Sequence, residues 1–288
     1  MSGRRVNALL LASPWTVTFL LFWAVPLIYS FLIGFTDYQL LKDSHWVGLD
    51  NYRELLSDED FLASIKNTFI FVFGTIPITT AVALGLALLV NRQFRARDLF
   101  RSAFFVPSIT SMVVVALIFT NLYERGGYVA MLSRMLGMQA PQHGFLFDSS
   151  TALYSIMAMD IWMSVGYYML IFLAGLKAIP DELYEAAEIS GASRARQFFS
   201  ITLPLLRPVA LFIIVVNSIK SFQVFVEIFV MTKGKFDTST MVYFIYEKGL
   251  QTTFRLGYAS AAAYLLFILI ALFSALYFIL LKRRQPVW

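Results

Sequence analysis

The chain has 288 residues, of which 59% are hydrophobic and 14% charged, against about 45–50% and 25% in ordinary soluble domains; this composition belongs in a membrane. It contains no cysteine, which excludes a disulfide framework and any thiolate metal site. A formal net charge of +5 would point to nucleic acid in a soluble protein, but in a membrane chain basic residues first mark the side on which a loop stays, and no nucleic-acid partner is expected.

Apolar runs approaching the roughly 20 residues that a bilayer requires occur six times, at about Leu9–Phe35, Thr68–Val90, Phe104–Asn121, Ala152–Leu176, Val209–Met231 and Tyr258–Leu281. The expected fold is an all-α polytopic membrane protein with six transmembrane helices, forming a single domain over residues 1–288. The first run follows Arg4 and Arg5 but continues past Pro26 to Phe35, beyond the about 7–15 residues of a secretory h-region. It is expected to be an uncleaved anchor, kinked at Pro14 and Pro26. From Asp37 to Lys66 runs a polar segment with seven acidic residues, in which the turn-rich stretch Trp46–Tyr52 leads into a short helix ending near Leu56. After the second span, Arg92, Arg95, Arg97 and Arg101 crowd a short loop; they are expected to set topology and to meet lipid phosphates. The third span, the weakest of the six, opens Phe104-Phe105-Val106-Pro107-Ser108.

With the N-terminus in the cytoplasm, thirteen basic residues fall on the inner side, Lys282, Arg283 and Arg284 among them, and nine fall in the longer outer loops. The positive-inside rule favours that orientation, so both termini are expected to be cytoplasmic.

Polar groups within the fourth and fifth spans need partners. Asp160, Ser164 and Tyr167 share one helical face, with Tyr168 beside it; Asn217, Lys220, Val224 and Glu227 form a second stripe, flanked by Ser221 and Gln223. A charge in the bilayer costs at least about 2.5–3.5 kcal/mol, so these groups must face protein or water. Asp160 lies eight residues from the outer end of its span and Lys220 eleven from the outer end of its own, depths of roughly 12 and 17 Å at about 1.5 Å per residue. A salt bridge between them is expected; the alternative is that backbone or water satisfies each separately. Asn217, Ser221, Gln223, Tyr167, Tyr168 and Phe222 combine hydrogen-bonding groups with aromatic rings, the chemistry that binds sugar hydroxyls and ring faces. Ordinary helix packing explains any one of them equally well.

Between these spans lies the polar stretch Glu185–Pro208. Pro180, Asp181 and Glu182 suit the start of a helix, Gly191 its left-handed end, and Ser193 the cap of a second helix that stops near Leu203-Pro204. Leu183, Tyr184, Ala186, Ala187 and Ile189 give a small apolar face, with Glu182, Glu185 and Glu188 on another. Such a face suits a shallow groove on a partner protein.

Glu185-Ala186-Ala187, then Gly191, then Ile201-Thr202-Leu203-Pro204 resemble the EAA loop of permease subunits from bacterial ABC importers. Ser190 stands where the sugar-importer branch usually has Asp. Trp46–Tyr52 is similar to the F-V-G-L-x-N-Y hallmark of sugar and glycerol-phosphate permeases. The likeness continues through Phe222–Thr232, Ser239-Thr240, Tyr243 and Leu256–Ala261. Ala130 occupies the position of a family asparagine, so no role carries over there. The resemblance implies a subunit of the inner membrane with a cytoplasmic two-helix coupling loop, residues 178–208, between helices 4 and 5. It implies that Glu185, Ala186, Ala187, Gly191, Leu183 and Tyr184 engage ATPase subunits. Its implied partners are a second homologous permease, two ATPase subunits, an extracytoplasmic substrate-binding protein, membrane lipid and a carbohydrate substrate moved by alternating access. ATP and Mg would be bound by the ATPases, leaving this chain without a cofactor.

Enzyme chemistry has no foothold in the sequence. Gly234-Lys235 lacks the preceding glycine of a phosphate-binding loop, and His45 and His143 are lone outer-loop residues. Two alternatives stay open: a glycerol-3-phosphate or polyol importer, weakened by the lack of arginine in the spans, and an ion-coupled secondary transporter using Asp160, Lys220 or Glu227 as a relay.

Overall fold

The computed structural model describes residues 2–40, 42, 44–137 and 141–282. Arg283 and Arg284, counted above among the inner basic residues, lie outside the described residues. Among those described there is no strand, only two isolated antiparallel bridges, Thr36 with Trp46 and Gln39 with Arg255. A helix satisfies its own N–H and C=O groups where no water can, which is the form apolar runs take in hydrocarbon. Among the described residues five helices are long and apolar enough to cross a membrane, and six if one sharply bent pair counts as a single span.

By Cα proximity the chain forms two compact units, residues 1–62 with 244–268 and residues 63–243 with 269–288. In the first, α1 (Ser2–Phe19) passes through a π-helical turn, Leu20–Ala24, into α2 (Val25–Ile33). The wide turn stands immediately before Pro26, whose missing N–H would otherwise orphan a carbonyl of the preceding turn. The short helix expected after Trp46–Tyr52 is α3 (Asp50–Ser57). Its buried Asn51 donates to Gly34 O at 3.0 Å and to Thr36 O at 2.8 Å, satisfying carbonyls left free at the end of α2.

Three further helices are shared by the two units: α4 (Glu59–Asn91), α13 (Met241–Tyr246) and α14 (Leu256–Lys282). At the start of α14 the Gly257 N–H bonds Tyr38 O at 3.0 Å. A Cβ there would lie 2.0 Å from Thr36 O, so only glycine permits the approach. Arg255 makes a two-point ion pair with Glu54 and stands 4.3 Å over the Tyr258 ring, while Tyr258 Oη donates to Asp58 at 2.6 Å. Glu54 and Asp58, just after the stretch Trp46–Tyr52, thus meet Arg255 and Tyr258 at the start of α14 in one polar clamp.

The second unit is built around α8 (Ala152–Lys177), 67% of whose most apolar window is buried. A helix apolar on all sides is expected at the centre of a bundle. Against it packs α5 (Arg97–Ile109), followed by α6 (Met112–Leu122) at 98° and then by the short α7 (Tyr128–Met135). The third span is therefore not the continuous helix Phe104–Asn121 that apolarity suggested. Thr110 and Ser111 adopt extended backbone, with ψ of 150° and 125°. Ser108, just before the bend, donates to Met163 O at 2.7 Å and accepts from Tyr167 N–H at 3.1 Å. It bridges a carbonyl and an amide at the spacing a regular helix would pair. Gly166 admits the backbone of Phe104, since a Cβ there would lie 1.9 Å from its carbonyl oxygen.

The fifth span is interrupted as well. α11 (Leu203–Phe222) and α12 (Val226–Met231) are separated at residues 223–225, where an unbroken Val209–Met231 was expected. Gln223 N–H closes a tight turn onto Lys220 O at 3.0 Å, and Thr240 Oγ1 donates to Val224 O at 3.0 Å in place of a helical amide. α6 and α12 pack against each other.

Candidate functional site

Two features of the second unit are candidates for function: an exposed helix–turn–helix and a charged contact between α8 and α11. The first begins with α9 (Asp181–Ile189), where Pro180 is the residue before the helix, with ψ 133°, rather than its first turn. Asp181 and Glu182 occupy the first turn, favoured there by the helix dipole. Gly191 has φ +75°. Around it, Ala192 N–H bonds Ala187 O and Gly191 N–H bonds Glu188 O, both at 2.9 Å, the paired bonds of a glycine-closed helix end. Ser193 then accepts from Arg196 N–H at 3.3 Å and starts α10 (Arg194–Gln197).

The second helix does not stop at Leu203-Pro204, as the proline had suggested. It runs through a π-helical turn, Phe198–Thr202, directly into α11. That turn carries a Leu203 N–H bond to Phe198 O, so Pro204 falls at the start of a new α-helical register where its missing N–H is tolerated. The loop is thereby joined to the fifth span as one rod. Tyr184 anchors α9, its hydroxyl 2.9 Å from Thr202 Oγ1 and its ring against the cluster around Phe172 and Leu206. Leu183, Glu185, Ala186 and Gly191 are exposed and Ala187 is half-buried. Ile189 is 89% exposed, an apolar side chain left in the open. The Tyr184–Thr202 contact joins residues eighteen positions apart, and neither the α9 face nor Ile201-Thr202-Leu203-Pro204 carries a local signal for it.

In the second feature, Lys220 Nζ donates to Asp160 Oδ1 at 2.8 Å and to Ser164 Oγ at 2.7 Å. The Asp160 side chain is 2% exposed and that of Lys220 42%; the carboxylate is enclosed and the ammonium emerges. Lys220 stands in the last turn of α11, where unpaired carbonyls favour a cation. Behind it, Tyr168 Oη donates to Asn217 Oδ1 at 3.2 Å, and Ser221 Oγ lies 3.4 Å from Thr75 Oγ1. Asn217 Nδ2 and Thr79 Oγ1 are buried with no partner among the described residues.

Of the nine residues read from the sequence as lining a pathway, only Lys220, Gln223 and Tyr167 are exposed. Asp160, Tyr168, Asn217, Ser221, Phe222 and Glu227 are buried. Phe222 packs edge-on against Phe69 and Phe273, at 5.8 and 5.2 Å. Asp160, Tyr168, Asn217, Ser221 and Phe222 make contacts between helices, and all six are buried in this arrangement. Asp160 and Ser164 do share a face of α8, but the expected stripe Asn217, Lys220, Val224 and Glu227 is cut at residues 223–225, which leaves Val224 between helices and Glu227 on α12.

Apolar spans around a buried axis, with a half-exposed ion pair and a solvent-facing helix–turn–helix joined rigidly to one span, define a membrane-embedded transport subunit. The chain belongs to the family described as "Binding-protein-dependent transport system inner membrane component", which matches residues 76–286. It is 33% identical over 273 residues to the probable ABC transporter permease protein YesP of Bacillus subtilis (strain 168), covering 92% of this chain and 87% of that one. To the arabinooligosaccharides transport system permease protein AraP of the same organism it is 31% identical over 276 residues, 94% of this chain and 87% of the other. In fold it is similar to a chain of the bacterial alginate ABC transporter solved in complex with an alginate pentasaccharide-bound periplasmic protein. That match has a TM-score of 0.83 and 24% identity and covers 98% and 96% of the two chains.

Proposed function

We propose that this chain is the permease subunit of an ATP-driven importer that moves a neutral carbohydrate into the cytoplasm by alternating access. The observation that carries the proposal is the exposed α9 turn, closed at Gly191 and continuous through α10 with α11. A partner that grips α9 and moves would transmit force along a continuous helix to the span bearing Lys220. Glu185, Ala186 and Ala187 would form the gripped surface, with Leu183 beside them and Tyr184 holding α9 to the rod. Two ATPase subunits would supply that partner and bind the ATP and Mg; a second permease of the same family would complete the pathway, and an extracytoplasmic protein would deliver substrate. The whole chain would then act as one permease domain of the inner membrane, with both termini cytoplasmic.

Carbohydrate as the substrate class is supported by the name of the arabinooligosaccharide relative. Neutrality is supported by the Lys220–Asp160 pair: an ammonium already compensated by a carboxylate offers a hydroxyl a donor, but offers a phosphate little net charge. That weighs against a glycerol-3-phosphate substrate.

The test is ATP hydrolysis by the purified assembly in liposomes, with candidate binding proteins loaded with different sugars or with glycerol phosphate. Stimulation by one sugar-loaded protein, with matching uptake, is the expected result. Uptake driven by an ion gradient without any associated ATPase would overturn the proposal in favour of secondary transport.

A further inference from the structure

The segment between α4 and α5 together with the first turns of α5 holds four arginines, Arg92, Arg95, Arg97 and Arg101, against one carboxylate, Asp98. Asp98 is already committed: Arg97 Nε and Arg101 Nη1 both lie 3.4 Å from its Oδ1. Arg101 Nη2 reaches Val90 O at 3.4 Å and ties the loop to the end of α4. Arg101 Nε is buried with no partner among the described residues. Arg92 and Arg95 are exposed and have no acidic partner among the described residues. Two guanidinium charges therefore stand uncompensated.

Beside them opens an apolar cavity of about 370 Å³, walled by Leu86, Leu89, Val90, Phe94, Phe100 and Phe104, with Arg92 at its polar edge. A second cavity, of about 470 Å³, reaches Arg95 and Arg97 and shares Phe94 as a wall. Phe94, Phe100 and Phe104 form a row, with ring centroids 5.7 and 6.2 Å apart. Apart from Phe94 in the linker, the apolar walls of the first cavity belong to the last turns of α4 and the first turns of α5. An occupant that satisfies both cavities must carry an anion and a hydrocarbon chain on one molecule. A soluble anion would leave the aromatic row wet, and a zwitterionic lipid would bring no net charge to the arginines.

We propose that this is a binding site for an anionic phospholipid, with an acyl chain in the groove lined by Leu89, Phe94 and Phe104 and the phosphate held by Arg92 and Arg95. Arginine suits this position because its planar fork meets phosphate oxygens at two points. Val90 and Phe104 belong to the apolar cluster on which Tyr184 packs, so the site borders the base of α9, while Lys220 is not among the residues lining either cavity.

The full chain, in the complex with which it purifies, is exchanged into nanodiscs of phosphatidylcholine with or without phosphatidylglycerol, and retained lipid is identified by native mass spectrometry. Phosphatidylglycerol is expected to be retained in preference to phosphatidylcholine. Arg92→Gln with Arg95→Gln is expected to weaken retention about thirtyfold, the loss for two arginines each contributing about 1 kcal/mol near an anionic headgroup. Leu89→Trp, which fills the groove and leaves every charge in place, is expected to weaken it as well; the outer-loop pair Arg125→Gln and Arg134→Gln is expected to leave it unchanged. Equal retention of phosphatidylcholine, or a double glutamine variant that keeps its phosphatidylglycerol, would overturn the proposal. So would displacement of the lipid by inorganic phosphate alone, which would identify a free-anion site.

Discussion

Replacing Gly191 by valine perturbs one torsion and almost nothing else within the chain. Gly191 sits at φ +75°, and a Cβ built there meets nothing within 4 Å, so bulk is no obstacle inside this subunit. The cost is conformational: an L-residue in the left-handed region loses about 1–2 kcal/mol relative to its preferred backbone, with β-branched side chains worst and asparagine least affected. That energy bears on the two bonds that close the turn, Ala192 N–H to Ala187 O and Gly191 N–H to Glu188 O. Their population relative to a frayed turn should fall about five- to thirtyfold, while the buried spans are untouched. The assay is sugar uptake and ATP hydrolysis by the assembly in liposomes, normalised to the amount of permease in the membrane. Uptake per ATP hydrolysed should decline in the order glycine, asparagine, alanine, valine. A valine variant that couples as well as glycine would refute the reasoning. Equal losses in asparagine and valine would show that a partner surface, and not the torsion, sets the requirement.

Lys220→Met should destabilise the purified protein by about 3–5 kcal/mol, because it leaves the enclosed Asp160 uncompensated. Adding Asp160→Asn should recover most of the thermal stability; no recovery would mean the two are not energetically coupled. Gly166→Ala should cost at least about 1–3 kcal/mol and lower membrane abundance, since its Cβ would lie 1.9 Å from Phe104 O. Gly85→Ala, with open space at its Cβ, should be neutral or gain up to about 1 kcal/mol from helix propensity, and comparable losses in both would discount the close approach. Finally, the hydrogen bonds from Arg255 hold the Glu54 carboxyl below its ordinary value of 4.5. A depressed carboxyl contributes stability that is present above its unfolded pKa and is lost as pH falls through the folded one. Unfolding temperature should therefore drop on acidification below pH 4.5, and Glu54→Gln should flatten that decline. An identical acid profile in the variant would assign the sensitivity to other groups.

Much of this molecule was legible residue by residue. Apolar length placed the spans, because a bilayer sets a minimum run; Gly191 announced a left-handed helix end and Ser193 a cap, because those conformations depend on one or two residues. Even the Lys220–Asp160 contact could be anticipated from matched depths, since two charges in hydrocarbon have few other ways to be satisfied. What failed to show was anything resting on a neighbour far away in sequence. The 98° bend after Ile109 depends on Ser108 reaching into α8 and on Gly166 admitting a backbone, and Phe104–Asn121 alone is apolar enough to pass as straight. The break at residues 223–225 depends on Thr240, sixteen positions on, taking over a helical carbonyl. Pro204 reads locally as a stop, yet the wide turn before it lets the helix continue. Local composition and periodicity, by themselves, determined that this is a polytopic helical membrane subunit with an exposed paired-helix loop. Only tertiary packing decided where the spans break and which polar side chains are enclosed, because burial is a property of two surfaces and a sequence stripe describes one.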